Sequence, residues 1–217
     1  MAISNMTQAQ SIMKPGVCTS LTRPASPYDG QVIYETDTDR AMVYNGTGWV
    51  VLSTGRANSL GLDLIKTQTI GSAVSSVTVS DVFSSTYDNY KIIVSGGVAS
   101  TYLALYLTLG STNTGYYSGG IDMTYAGVTS AIGQSNTAFW NFGGGTTNAL
   151  SGTADINQPF ATKTTTYFST HAFNQAGGNS SLSRGFLNNT TSYTAFTLTT
   201  NTGTITGGTI SIYGYAK

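Results

Sequence analysis

Charge is what this sequence has least of. Asp, Glu, Lys and Arg make up 8% of its 217 residues, nine of each sign, against roughly 25% in an average soluble domain. With a net charge of zero there is no excess positive field to hold a phosphate backbone or an anionic surface, so no nucleic acid is expected as a partner. Cys18 is the only cysteine, which excludes a disulfide framework and a thiolate metal site within one chain. His171 is the only histidine. The first residues, MAISNMTQAQSIMKPG, lack a basic segment followed by about 7–15 apolar residues, and no later stretch approaches about 18 apolar residues. Neither a secretory leader nor membrane insertion is expected.

In place of charge the chain carries 36 Thr, 25 Ser, 14 Asn and 26 Gly. Hydroxyls and amides supply its polarity, and with 40% hydrophobic residues it has enough apolar material to fold, unlike a chain kept open by charge. A surface of this kind has to avoid aggregation by closing its sheets or by assembling.

Ten of the 18 charged residues fall within the first 66 positions. That shift, with the polar stretch Ser53-Thr-Gly-Arg-Ala-Asn-Ser-Leu-Gly61, places a linker at 53–62. Ahead of it, residues 1–29 read as an N-terminal arm, in which residues 1–13 suit a short helix or an extended arm ended by Pro15-Gly16. Residues 30–52 hold three short β-prone runs separated by Thr36-Asp-Thr-Asp39 and Asn45-Gly-Thr-Gly48, a three-stranded meander with an Asn-Gly hairpin signal. Such a meander is too small for its own core and has to pack on something else.

Residues 63–217 read as β throughout, with the clearest strands at 64–70, 74–79, 90–95, 102–109, 138–142, 164–173, 195–200 and 209–215. The expected fold class is all-β: a small N-terminal three-stranded meander followed by a jelly-roll-like β-sandwich. A β-helix solenoid shares the composition, but no fixed period of about 20–30 residues is present.

Few residues suit chemistry. His171 lies in Tyr167-Phe-Ser-Thr-His-Ala-Phe173, without the nucleophile and acid a triad needs, and reads as a hydrogen-bonded strand residue. Glu35, Asp37 and Asp39 alternate along the first hairpin but lack EF-hand spacing. They read as a turn stabilised through backbone amides, with Arg40 offsetting their charge. Asp122 and Asp155 are the pair that could serve glycoside hydrolysis, and no sequence spacing fixes the separation such chemistry needs. Gly143-Gly-Gly145 and Gly207-Gly208 precede no helix with a lysine, so they read as turns or loop tips and not as phosphate cradles. The expectation is a non-enzyme without catalytic residues, cofactor or metal.

Aromatics are more informative. Tyr116, Tyr117, Tyr125 and Trp140, with Asn113, Asn136 and Asn141, fall in the turn-rich stretch 111–148. Rings beside amides suit stacking on sugar faces, so these seven are the candidate glycan-binding set. The competing expectation places Trp140 and Phe139 in the core, where large aromatics usually lie. Ile33, Tyr34, Val43, Tyr44 and Trp49 are the candidate attachment and assembly set of the meander.

Residues 14–52 resemble a segment of tailed-bacteriophage structural proteins with the form R-P-x-x-P-x-x-G-x-x-I-Y-E-T-D-T-x-R-x-x-V-Y-N-G-x-x-W. Arg23, Pro24, Pro27, Gly30, the run Ile33 to Thr38, Arg40, Val43 to Gly46 and Trp49 match it. The resemblance implies a virion protein whose meander attaches or packs a homotrimer while the sandwich is displayed outward. Its expected partners are copies of itself, other tail or capsid proteins and a host surface glycan. A tail-fibre or receptor-binding role comes first, a capsid decoration protein second and a free carbohydrate-binding module third.

Overall fold

The structure is a computed structural model that describes residues 16–52, 61–173 and 178–217. The chain divides into two compact units, Met1–Ser59 and Leu60–Lys217. Among the described residues every regular element is a strand and there is no helix. The expected arm segment 1–15 and linker positions 53–60 lie outside the described residues.

In the first unit β1 (Gly16–Cys18), β2 (Val32–Glu35), β3 (Arg40–Tyr44) and β4 (Trp49–Val51) form a sheet in that order. β2, β3 and β4 are the antiparallel meander. Its second turn works as the Asn-Gly signal requires: Gly46 takes a φ of 86°, and the Asn45 Oδ1 accepts the Thr47 and Gly48 amides at 3.1 and 2.9 Å. The sheet has four strands rather than three, because β1 pairs parallel to β2 with Gly16 opposite Ile33 and Cys18 opposite Glu35. A three-residue strand between prolines carries no periodic signal. Side chains further along the chain fix it, Ser20 donating its amide and hydroxyl to Asp37 and Arg23 meeting Glu35.

The second unit contains β5 (Leu62–Thr69), β6 (Ser76–Val79), β7 (Asn89–Ser95), β8 (Val98–Ala99), β9 (Leu103–Leu109), β10 (Tyr116–Met123) and β11 (Thr129–Thr137). It continues with β12 (Trp140–Gly145), β13 (Leu150–Asn157), β14 (Thr166–Phe173), β15 (Asn179–Leu187), β16 (Phe196–Thr200), β17 (Ile205–Thr206) and β18 (Thr209–Tyr215). One layer runs β5-β18-β7-β13-β14-β15-β10-β11. The other runs β13-β12-β9-β16-β6. β13 belongs to both: on one side it pairs with β12 through Leu150–Gly152 and then with β7 through Gly152–Asn157. A strand that changes sheets makes the corner of a sandwich. β8 and β17 form a small separate ribbon.

The core sits between the layers. Leu103, Leu105, Leu107 and Leu109 of β9 face Tyr90, Ile92 and Val94 of β7 and Ile210 and Ile212 of β18, all buried and in one cluster. Alternation along β7, β9 and β18 gives each strand one buried and one half-exposed side. The all-β expectation, a small N-terminal sheet and then a sandwich, is what the structure shows.

Two local expectations are corrected. Residues 111–148 are not chiefly loops but hold β10, β11 and β12. Gly143-Gly-Gly145 is not a loop tip but the buried end of β12, where a Cβ on Gly143 would run into the Ser151 carbonyl and one on Gly145 into Leu150. These glycines let neighbouring chain segments approach closely.

Candidate functional site

Register assigns a face to every residue of the large layer. The inward row of β14, β15 and β10 begins with Tyr167, Leu187 and Tyr116, all buried. The outward rows alternate with it. Tyr117 lies opposite Phe186, Gly119 opposite Arg184 and then Phe168, Ile121 opposite Leu182 and Thr170, and Met123 opposite Ser180 and Ala172. Tyr117 and Phe186 stack with centroids 5.1 Å apart and planes 7° apart. The Arg184 guanidinium sits 5.0 Å from the Phe168 centroid. Ile121 and Phe186 are 43% and 42% exposed, and a shallow depression of about 340 Å³ between Met123, Thr153, Thr170 and Leu182 continues the surface. This open apolar face, with Arg184 its one charge over β10, β14 and β15, is the candidate functional surface.

Across β13 and β7 the same face turns polar. Asp155 meets Lys91 at 3.0 Å and accepts the Tyr215 hydroxyl at 2.5 Å. Burial works to lower the Lys91 pKa, but the bond and charge of Asp155 outweigh it and raise it.

The glycan-binding set does not form one platform. Tyr116 and Trp140 are fully buried, a correction to their reading as exposed rings. Trp140 stacks on Tyr167 at 4.7 Å, meets Tyr116 edge-on at 4.9 Å and donates its Nε1–H to the Tyr117 carbonyl at 3.3 Å. Burial raises the pKa of the Tyr116 hydroxyl and pushes that of Tyr167 up to about 12. Phe139 stacks on Tyr106 at 3.7 Å. Tyr117 lies on the open face, whereas Tyr125, 72% exposed, lies in the turn between β10 and β11. Asn113 is exposed, and Asn136, at a φ of 56°, spends its Oδ1 on the Gly115 amide and Thr114 hydroxyl. Asn141 lines a polar cavity between the layers. No known protein family, curated protein or solved structure matches the chain.

That cavity, about 110 Å³, is lined by Tyr102, Asp122, Asn141, His171, Asn179 and Ser181 among others. Burial holds the His171 imidazole below its ordinary pKa, with the Asp122 charge acting against it. Asp122 shares the inward face with Ser181 and His171, whereas Asp155 is on the outward face. The two carboxylates therefore cannot flank one glycosidic bond.

In the first unit the three hairpin carboxylates are individually engaged. Glu35 is buried and meets Arg23 and the Thr38 hydroxyl, Asp37 accepts from Ser20, and Asp39 accepts the Tyr34 hydroxyl. The cation against Glu35 is Arg23, not the expected Arg40. The Arg23 bond holds Glu35, and the Ser20 hydroxyl and amide hold Asp37, below the usual carboxylate range. Among the described residues no group of three or more His, Cys, Asp or Glu is placed to hold a metal ion.

The attachment set divides between two faces. Ile33, Tyr44 and Trp49 share one with buried Met42. Ile33 is 1% exposed, which corrects its reading as an assembly contact, since it is used up inside its own unit. Tyr34 and Val43 share the other with Val17 and Val50, both exposed. The signal for that second face was the alternation of Val32, Tyr34, Ala41 and Val43, and Val17 was missed because β1 was.

Proposed function

We propose that this chain is a self-assembling structural protein of a tailed-phage virion. Its N-terminal sheet attaches it and its sandwich is displayed outward as an oligomer, a homotrimer on the resemblance. The observation that carries this reading is the open, apolar, nearly uncharged face of β10, β14 and β15, a surface suited to a protein partner. The motif over residues 23–49 supplies the virion context, and the Val17, Tyr34, Val43 and Val50 face offers a second contact suited to attachment. A tail-fibre head is the first form of this reading. Capsid decoration is the second, and the burial of Tyr116 and Trp140 favours it by removing half of the ring set that argued for a glycan receptor.

Gold-labelled antibody on intact particles tests the reading: label on the tail supports a fibre head, label over the capsid supports decoration, and unlabelled particles overturn both. Light scattering on the full chain at micromolar concentration is expected to give a multiple of 22.7 kDa.

A further inference from the structure

Most glycines inside strands of the sandwich are accounted for by packing within the chain. An added Cβ would collide with the Leu182 carbonyl at Gly120, the Tyr117 carbonyl at Gly185, the Phe142 ring at Gly152 and the Tyr87 ring at Gly214. Gly119 and Gly133 are different. At Gly119 a Cβ meets nothing within 4 Å, and at Gly133 only the Ser118 carbonyl oxygen at 4.0 Å. Neither has a positive φ. A strand glycine without a conformational or packing reason weakens its own sheet, and such positions mark where something else comes close.

These two glycines are cross-strand partners in the β10–β11 hairpin and lie on the open face. Together they form a trough about 10 Å long, two strands wide. Tyr117 and Phe186 wall one side, Ile121 and Ala131 the other, and Arg184 closes the inner end. Its outer end opens at β11, which has β10 as its partner strand. β11 is nine residues long with no charge and no proline, so it lacks the usual guards of an exposed edge. The opposite edge, β5, carries Asp63 and Lys66.

We propose that the face of β11, β10, β15 and β14 packs against a neighbouring copy of this chain, whose surface enters the Gly119–Gly133 trough. This rests on the self-assembly reading above and names its surface. Size supports a second copy as the occupant: four strands of eight or nine residues present roughly 19 Å by 28 Å. A pair of copies then buries about 1,000 Å², the lower bound for a specific interface. With a neutral chain and one cation on these strands' outward face, little like-charge repulsion opposes the contact.

The test is the double substitution Gly119→Glu with Gly133→Lys, which fills the trough with a cross-strand ion pair the monomer can hold. Mass by light scattering and sedimentation is measured from 1 to 100 µM. The double variant is expected to weaken self-association at least about 100-fold while its melting temperature stays level or rises. Ile121→Lys, on the rim at an already exposed position, is expected to do the same without touching a glycine. If both variants are folded and keep the mass of the wild-type oligomer, this surface assignment is overturned and the assembly reading stands. A wild-type chain that is monomeric across the whole range overturns both. If a saccharide binds the wild type but not the double variant while mass is unchanged, the trough is a glycan site and the proposal is also overturned.

Discussion

The two tryptophans show how differently the two units hold together. Trp49 is half-buried and meets one ring, Tyr44, edge-on at 5.6 Å. Trp140 is sealed, stacked on Tyr167 and set edge-on against Tyr116. Around Trp140 lies a continuous buried cluster drawn from both layers. Among the described residues of the first unit only Ile33, Met42 and Glu35 are buried, and carboxylates engaged by Arg23 and Ser20 supplement them. A sandwich can seal its largest side chains within one chain, but four strands of three to five residues cannot. The small sheet relies on polar clamps and leaves apolar side chains such as Val17 and Val50 exposed.

Calorimetry of the full chain is expected to show two transitions, and a single cooperative one would break the comparison at its root. Trp140→Ala should have the largest effect, about 3–5 kcal/mol off the sandwich transition alone, as for other buried tryptophans. Trp49→Ala removes a partly exposed ring and one edge-on pair, so about 1 kcal/mol off the first unit is expected. If the two losses were equal, the contrast between sealed and half-open cores would be wrong.

Acid separates the units more finely. Glu35 and Asp37 have lowered values, so their contribution is present above the ordinary carboxylate range near pH 4 and is lost as pH falls through the lowered values. Asp37→Asn should flatten the loss of the first transition below about pH 4. His171, also lowered, contributes to the sandwich above about pH 6.5, a contribution lost as pH falls through its lowered value. His171→Gln should therefore flatten only the second transition, over that higher window. Melting temperatures recorded between pH 3 and 8 check both, and a variant that flattens the other unit's curve would refute the assignment. The smallest effect expected is that of Lys217→Ala. It breaks an ion pair to Asp88 whose partners are about half exposed or more, and it should change stability by no more than about 0.5 kcal/mol.

Strands whose buried side is apolar were legible from alternation. β9, reading Leu-Ala-Leu-Tyr-Leu-Thr-Leu, buries every second residue, and β7 and β18 follow it. β13 was missed although its buried side alternates through Leu150, Ala154 and Ile156, whereas β10, β11 and β15 were missed for a physical reason. Along β10 and β15 the inward row passes from Tyr116 and Leu187 to Gly120, Ser183, Ser181 and Asp122, where the layer lines the polar cavity. Small and hydroxyl residues facing inward erase the period-two apolar signal, so the stretch resembled loops. Tyr116 and Tyr117 were misplaced with it, because a ring taken for a loop residue cannot be assigned to a face. Trp140 lay in the expected strand 138–142, and its burial follows the competing core reading. The Gly119–Gly133 trough could not be seen in sequence, since open space around a missing side chain is a property of the folded sheet.

The sandwich begins with β5, whose partner among the described strands is β18. During synthesis, Leu62 to Thr69 therefore emerges well over a hundred residues before its neighbour does. Until Tyr215 is free, the unit lacks its β18 strand, and β7 and β5 both wait with unpaired backbone on that side. Closure of this sheet joins sequence-distant segments, a topology that folds slowly and exposes sticky edges meanwhile. Removal of residues 209–217 would thus leave β5 without its partner strand.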